Sequence, residues 1–195
     1  DPVGTPGDDT VKLDGAFAMT PNGRVAAVGS ADGHVQLWDV SDRTHPAALG
    51  APLAVSDDLV EQIGFSADGR TMAVGADDQR VRLWDVTDPA VAHRLSSTPA
   101  IGGLVYSVAF QPGGTLLAAA TTAGTVWLWD IADPAAPRKL AVLSGMGGYA
   151  LTTQFSPDGM VLAAAGAGRA VHLWNVADPA HPAPIGEPLT GPTNN

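Results

Sequence analysis

Val81–Val86 reads Val-Arg-Leu-Trp-Asp-Val, and the chain writes that pattern three more times. The other copies are Val35–Val40 (VQLWDV), Val126–Ile131 (VWLWDI) and Val171–Val176 (VHLWNV). Their tryptophans, Trp38, Trp84, Trp129 and Trp174, stand 46, 45 and 45 residues apart. So even a period across most of a 195-residue chain marks a repeat architecture and outranks local propensity. Within each copy Val and Leu alternate with a second set that holds the Trp, which is strand periodicity with both faces packed. Each unit therefore needs a neighbour on two sides.

Outward from Trp84, the second unit serves as the template. Leu59–Phe65 reads as a strand, followed by the turn Ser66-Ala67-Asp68-Gly69 and a second strand, Thr71–Gly75. The polar turn Asp77-Asp78-Gln79 leads into the Trp84 strand, and after Thr87-Asp88-Pro89 a weaker strand runs through His93–Ser97. That is one small antiparallel sheet of four strands with short connections. The first turn recurs as Thr20-Pro21-Asn22-Gly23, Gln111-Pro112-Gly113-Gly114 and Ser156-Pro157-Asp158-Gly159. Pro presets φ there and Gly supplies the left-handed corner. Met19, Phe65, Phe110 and Phe155 precede these turns with the same spacing. Asp-Pro after the Trp strand ends the ladder, so the fourth strands, near Ala47–Leu53, His93–Ser97, Lys139–Leu143 and Ala183–Leu189, lie at sheet edges. The units span about 11–53, 57–98, 102–143 and 147–189, with no linker between them.

Composition narrows the function. A net charge of −10 argues against nucleic acid or an anionic membrane as the main partner, since both require a basic footprint. No apolar run approaches a membrane span, and the absence of cysteine removes disulfide scaffolds, thiolate zinc sites and cysteine nucleophiles. That absence fits a reducing cytosol, so a cytoplasmic location is expected. The histidines, His34, His45, His93, His172 and His181, include no pair at metal-ligand spacing. Ser144-Gly145-Met146-Gly147-Gly148 lacks the Lys-Ser/Thr ending of a phosphate loop, and Asp57-Asp58 and Asp77-Asp78 read as solvated turns. With no nucleophile beside a base, the sequence leads us to expect neither an enzyme, a metal nor a cofactor.

The turn, the small-residue strand and the Leu-Trp-Asp strand, in four copies in phase, resemble the WD-repeat β-propeller family. The Asp-Pro-rich ends are similar to bacterial members, those of high-GC actinobacteria in particular. The resemblance implies an all-β fold: four four-stranded antiparallel propeller blades in an open arc, part of a larger propeller. It implies a non-catalytic scaffold for a protein or peptide partner, the sensor or partner-binding part of a larger bacterial signalling protein. The alternative is a structural or autoinhibitory spacer that packs on a neighbouring effector domain. By the same resemblance, the top-rim positions flank the start of each first strand: Leu13 and Gly15, Leu59 and Glu61, Leu104 and Tyr106, Tyr149 and Leu151. Ala31, Asp77, Thr122 and Ala167 add to the rim from the following turn. A competing reading buries these side chains in a bulge of the first strand.

The chain also departs from the family. A His that opens each repeat there joins Trp and Asp in a buried network. Counted back from the aromatic before the turn, its slot here holds Thr10, Ser56, Ile101 and Met146, with Pro192 in the next repeat's slot. The turn Asp survives as Asp32 and Asp78, expected to bond nearby backbone N–H groups, and becomes Ala123 and Gly168 in the last two units. The four repeat tryptophans are expected to be largely buried, and units three and four to open first. Asp1–Pro6 resembles the tail of a preceding repeat and Leu189–Asn195 the start of a following one. The first and last blades should then each expose an apolar face on the order of several hundred Å². Further blades of the same chain, or a second copy, would cover those faces.

Overall fold

Each unit turns on a tight corner built from its own side chains. In the second, Gly69 adopts φ +70° and its N–H donates to the Ser66 carbonyl oxygen at 2.8 Å. Asp68 completes the corner by accepting from the Ser66 hydroxyl at 2.6 Å and the Arg70 N–H at 3.0 Å. Ser156 and Asp158 repeat the arrangement, as do Thr20 and Asn22. The third unit has no acid there. Its Gln111 amide reaches across to the Gly159 carbonyl oxygen of the fourth, 2.8 Å away.

The structure is a computed structural model that describes residues 16–191. Four antiparallel sheets follow one another in chain order. The first holds β1 (Phe17–Met19), β2 (Val25–Gly29), β3 (His34–Asp39) and β4 (Ala47–Ala54). The second holds β5 (Val60–Phe65), β6 (Thr71–Ala76), β7 (Val81–Asp85) and β8 (His93–Ser97). The third holds β9 (Val105–Phe110), β10 (Leu116–Thr121), β11 (Val126–Asp130) and β12 (Arg138–Leu143). The fourth holds β13 (Ala150–Phe155), β14 (Val161–Gly166) and β15 (Ala170–Asn175), with an outer edge in two pieces, β16 (Ala183–Pro184) and β17 (Leu189–Thr190). The expected continuous strand Ala183–Leu189 is therefore broken, at a segment carrying Gly186 at φ +65° and Pro188. Leu189 and Thr190 pair with Val171 and Ala170, the edge places that Leu53 and Ala54 take on the first sheet, so they complete the fourth sheet. Asp1–Pro6, Thr10, Leu13, Gly15 and Pro192 lie outside the described residues.

Register explains why one tryptophan strand sets the whole fold. Phe65, Met72 and Trp84 are directly opposite one another across β5, β6 and β7 and form one row on one face. Phe110, Leu117 and Trp129 form the same row in the third sheet, and Phe155, Leu162 and Trp174 in the fourth. Each row packs on the Val-Leu face of the preceding sheet. Val35 and Leu37 meet Met72 and Trp84; Val81 and Leu83 meet Leu117 and Trp129; Val126 and Leu128 meet Leu162 and Trp174. Trp looks back along the array and Leu looks forward.

The two ends of the array show what this polarity leaves over. Phe17 is 59 % exposed, whereas Ile63, Val108 and Thr153, in the same place on later sheets, are 2 %, 7 % and 5 % exposed. Met19 is exposed beside it, and Trp38 is only half-buried while Trp84, Trp129 and Trp174 are buried. At the other end Val171 and Leu173 are half-buried, although Val126 and Leu128 are fully buried. The first strands β1, β5, β9 and β13 lie side by side, and no comparable contact joins β13 back to β1 among the described residues. The array is an open arc.

The slot of the missing His is also resolved. Val55 and Ile101 donate their N–H groups to the equivalent carbonyl oxygens of Gly33 and Gln79, both at 2.9 Å. The Ser56 N–H donates to the same Gly33 oxygen at 3.0 Å, but only Val55 is buried in the core. The slot residue in the second unit is therefore Val55, and that unit carries one extra residue before β5. Val55, Ile101 and Met146 are all buried in the core clusters. An apolar plug replaces a polar network at each seam. In keeping with that loss, the Trp84 Nε1 is buried without a partner.

Candidate functional site

The rim is built by three bulges at corresponding places. Pairing along β5 steps from Val60 to Gln62, along β9 from Val105 to Ser107 and along β13 from Ala150 to Thr152. The residues skipped are Glu61, Tyr106 and Leu151, 45 residues apart. A bulge turns a side chain out of the pleat and re-aims it. Here it points a residue away from the packed faces at the mouth of β5, β9 and β13.

A second set of contacts fixes the residues beside each bulge. The Asp77 N–H donates to the Leu59 carbonyl oxygen (3.1 Å), Thr122 to Leu104 (3.1 Å) and Ala167 to Tyr149 (2.9 Å). The Thr122 hydroxyl also accepts from the Leu104 N–H at 3.0 Å. The expected rim pairs thus come together blade by blade. Leu59, Leu104, Glu61 and Tyr106 are half-buried, whereas Tyr149 and Leu151 are exposed at 57 % and 42 %. Bulge and partial exposure coexist, so the two sequence-based readings of these residues are not exclusive. Ala31 is exposed on the first blade, and Leu13 and Gly15 lie outside the described residues.

Glu61 and Asp77 bring two carboxyl groups together. Partial burial pushes the Glu61 carboxyl above its usual range, and the adjoining charge and hydrogen bond of Asp77 add to the shift. Asp77 Oδ1 is itself buried without a partner. Burial also raises the Tyr106 phenol, with smaller contributions from Glu61, Asp77 and Tyr149. The rim is therefore an aromatic and acidic patch whose carboxylates form no ion pair among the described residues.

Asp32 and Asp78, expected to serve as structural turn acids, behave differently from each other. Asp78 accepts from the Arg80 N–H at 3.2 Å, as expected, and also grips the Arg82 guanidinium through two bonds, one of them 3.0 Å long. Arg82 and Asp78 are 10 % and 19 % exposed, so the pair is nearly dry. Asp32 accepts from the Ser30 hydroxyl instead of from backbone N–H groups, and it lies 3.2 Å from the His34 Nδ1 in an ion-pair contact. Nothing in the repeat pattern announced the Arg82 pair, because its strand slot holds Gln36, Trp127 and His172 in the other units. Only the coincidence of a turn acid with Arg four residues later signals it.

Among the described residues no group of three or more His, Asp or Glu is arranged to hold a metal ion. Among the described residues no helix is long and apolar enough to cross a membrane. No curated protein matches the chain. The family model for the WD domain, G-beta repeat, matches residues 14–39, 53–85, 95–130 and 138–175, more than half of the chain.

Proposed function

The chain belongs to the WD40 repeat family, and from that premise we propose that it is a non-catalytic scaffold whose bulged rim binds a protein or peptide partner. Repeats of this family generally mediate protein–protein interaction. The observation that carries the reading is the in-phase bulge at Glu61, Tyr106 and Leu151, which aims one side chain per blade at the same rim. Leu59, Leu104, Tyr149 and Asp77 complete the surface. Aromatic groups of this kind dominate interface energetics, and the Glu61–Asp77 pair, which forms no ion pair among the described residues, favours a partner with a Lys or Arg at the contact.

Its setting is proposed to be a larger bacterial signalling protein in the cytoplasm, with this array as the partner-binding part. Further blades of the same chain, or a second copy, would cover the half-used faces at Phe17 and Leu173. Those faces also support the second reading, a spacer that docks on a neighbouring effector domain. Peptides selected on the chain from a displayed random library separate the two readings. A Tyr106→Ala/Tyr149→Ala chain loses the selected binders if the rim is the site. It keeps them if the end faces do the binding.

A further inference from the structure

The seam between the second and third blades carries a side groove that the rim does not use. It is about 550 Å³ in volume and runs between the edge strand β8 and the face of β11 and β12. That size falls in the range of ligand pockets. Trp127 and Trp129 floor it as a stacked pair, ring centres 5.9 Å apart and planes 17° from parallel. Trp127 is half-exposed, and its indole N–H donates to the Thr125 hydroxyl at 3.2 Å, which fixes the ring. The Ser96 hydroxyl donates to the Pro134 carbonyl oxygen at 2.7 Å and ties the loop after β11 to β8. The groove is thus formed in advance, with little ordering left for a ligand to bring about.

The other seams do not offer this. Arg82 fills the equivalent slot at the first seam and is held by Asp78. At the third, His172 stacks on Trp174 at 5.8 Å beside a space of about 240 Å³. The middle groove also carries a cation. Lys139 Nζ stands 5.5 Å from the Trp127 ring centre, and Lys139 forms no ion pair among the described residues. Its neighbour Arg138 is already bound to Asp130 at 2.9 Å. An exposed cation without a counter-charge, over a flat aromatic floor on an otherwise acidic chain, selects an anion that brings an apolar, ring-shaped group.

We propose that this groove is a second recognition site, for a short acidic peptide segment that presents a proline. The carboxylate draws Lys139 off the Trp127 ring into an ion pair, and the neighbouring prolyl ring stacks on Trp127 in its place, as proline-rich segments do in aromatic grooves. It is separate from the rim and has the opposite charge preference.

The test follows the Trp127 indole N–H signal of the full chain by NMR during titration with Ac-Pro-Pro-Glu-Pro-amide. Its Gln and Lys analogues serve as comparisons. The Glu peptide should shift Trp127 and bind about threefold more tightly than the Gln peptide, as expected for an exposed ion pair. Lys139→Gln should erase that preference. Trp127→His, followed on the indole signal of the stacked neighbour Trp129, should weaken binding about tenfold or more. Histidine occupies the same slot at residue 172, so the fold accommodates it, and an unchanged melting transition confirms this. Tyr106→Ala should change nothing. No Trp127 shift at millimolar peptide, equal or tighter binding of the Gln or Lys peptide, a preference that survives Lys139→Gln, or binding lost with Tyr106→Ala would overturn the assignment.

Discussion

Gly75 of β6 sits directly under Val105 of β9, so close that a Cβ at Gly75 would lie 2.5 Å from Val105 Cγ1. The two strands belong to neighbouring blades, and the missing methyl lets the valine in. The corresponding places at the next seam are Ala120 and Ala150, small against small, both fully buried. Size is balanced across each seam rather than within each blade. Gly75→Ala should therefore lower stability by about 1–3 kcal/mol in a denaturant titration. The double substitution Gly75→Ala/Val105→Ala, which copies the next seam, should recover part of it.

Asp78→Ala strands the Arg82 guanidinium in a nearly dry seam, where its Nε already lacks a partner. Breaking a buried pair from one side costs about 3–5 kcal/mol, and the residual exposure of Asp78 points to the lower end. Arg82→Gln places there the residue found at position 36 and leaves Asp78 with a solvent route, so the loss should be smaller. Melting of the two single variants and the double variant, arranged as a cycle, checks the order.

The pH response has two opposite parts. Hydrogen bonds hold several turn carboxylates below the ordinary aspartate value of 3.8: Asp68 and Asp158 through the Ser66 and Ser156 hydroxyls, Asp85 through Thr87. A lowered folded value contributes stability that is present above 3.8 and lost as the pH falls through the folded value. Unfolding should therefore set in under acid. Glu61 is shifted the other way, so its contribution is complete below 4.5 and lost as the pH rises through its folded value. Comparing the wild type with Glu61→Gln across pH 3–8 should show the second decline only in the wild type.

Hydrogen exchange should rank the blades by how many faces they have covered. The second and third are packed on both sides, and β10 is buried along its whole length. The first and fourth keep one face open, and the fourth also has a broken outer strand. The fourth should open first, then the first, with the middle pair last. The loss of polar groups from units three and four had suggested that both open early. The structure separates them, because the third blade is covered on both sides.

Much of this was legible in the residues. Four Trp strands with even spacing specify four sheets, and the alternation of Val-Leu with Trp states that each strand has two packed faces. The direction in which the Trp row faces was not legible, because alternation does not distinguish the blade before from the blade after. The extra residue before β5 shifted the plug slot from Val55 to Ser56, since counting from Phe65 cannot see where a loop absorbs an insertion. The rim positions and the rival bulge of the first strand were both expected, but that Glu61, Tyr106 and Leu151 are the residues skipped is a register effect that a single strand's sequence does not encode. The Trp127 groove was hidden for a related reason. Position 127 reads as a tolerant packing slot, and only the spacing of the second and third blades shows that its ring is left partly uncovered.

The most direct test of the rim is a hydrogen-exchange footprint of the chain with and without a peptide selected on it. Exchange should slow at the three bulges, around Glu61, Tyr106 and Leu151, and at the Asp77, Thr122 and Ala167 amides that clip them. The outer strands β4 and β8 should be unchanged. Slowing confined to β1 and β15, the open end faces, with the bulges unaffected, would contradict a rim that binds partners.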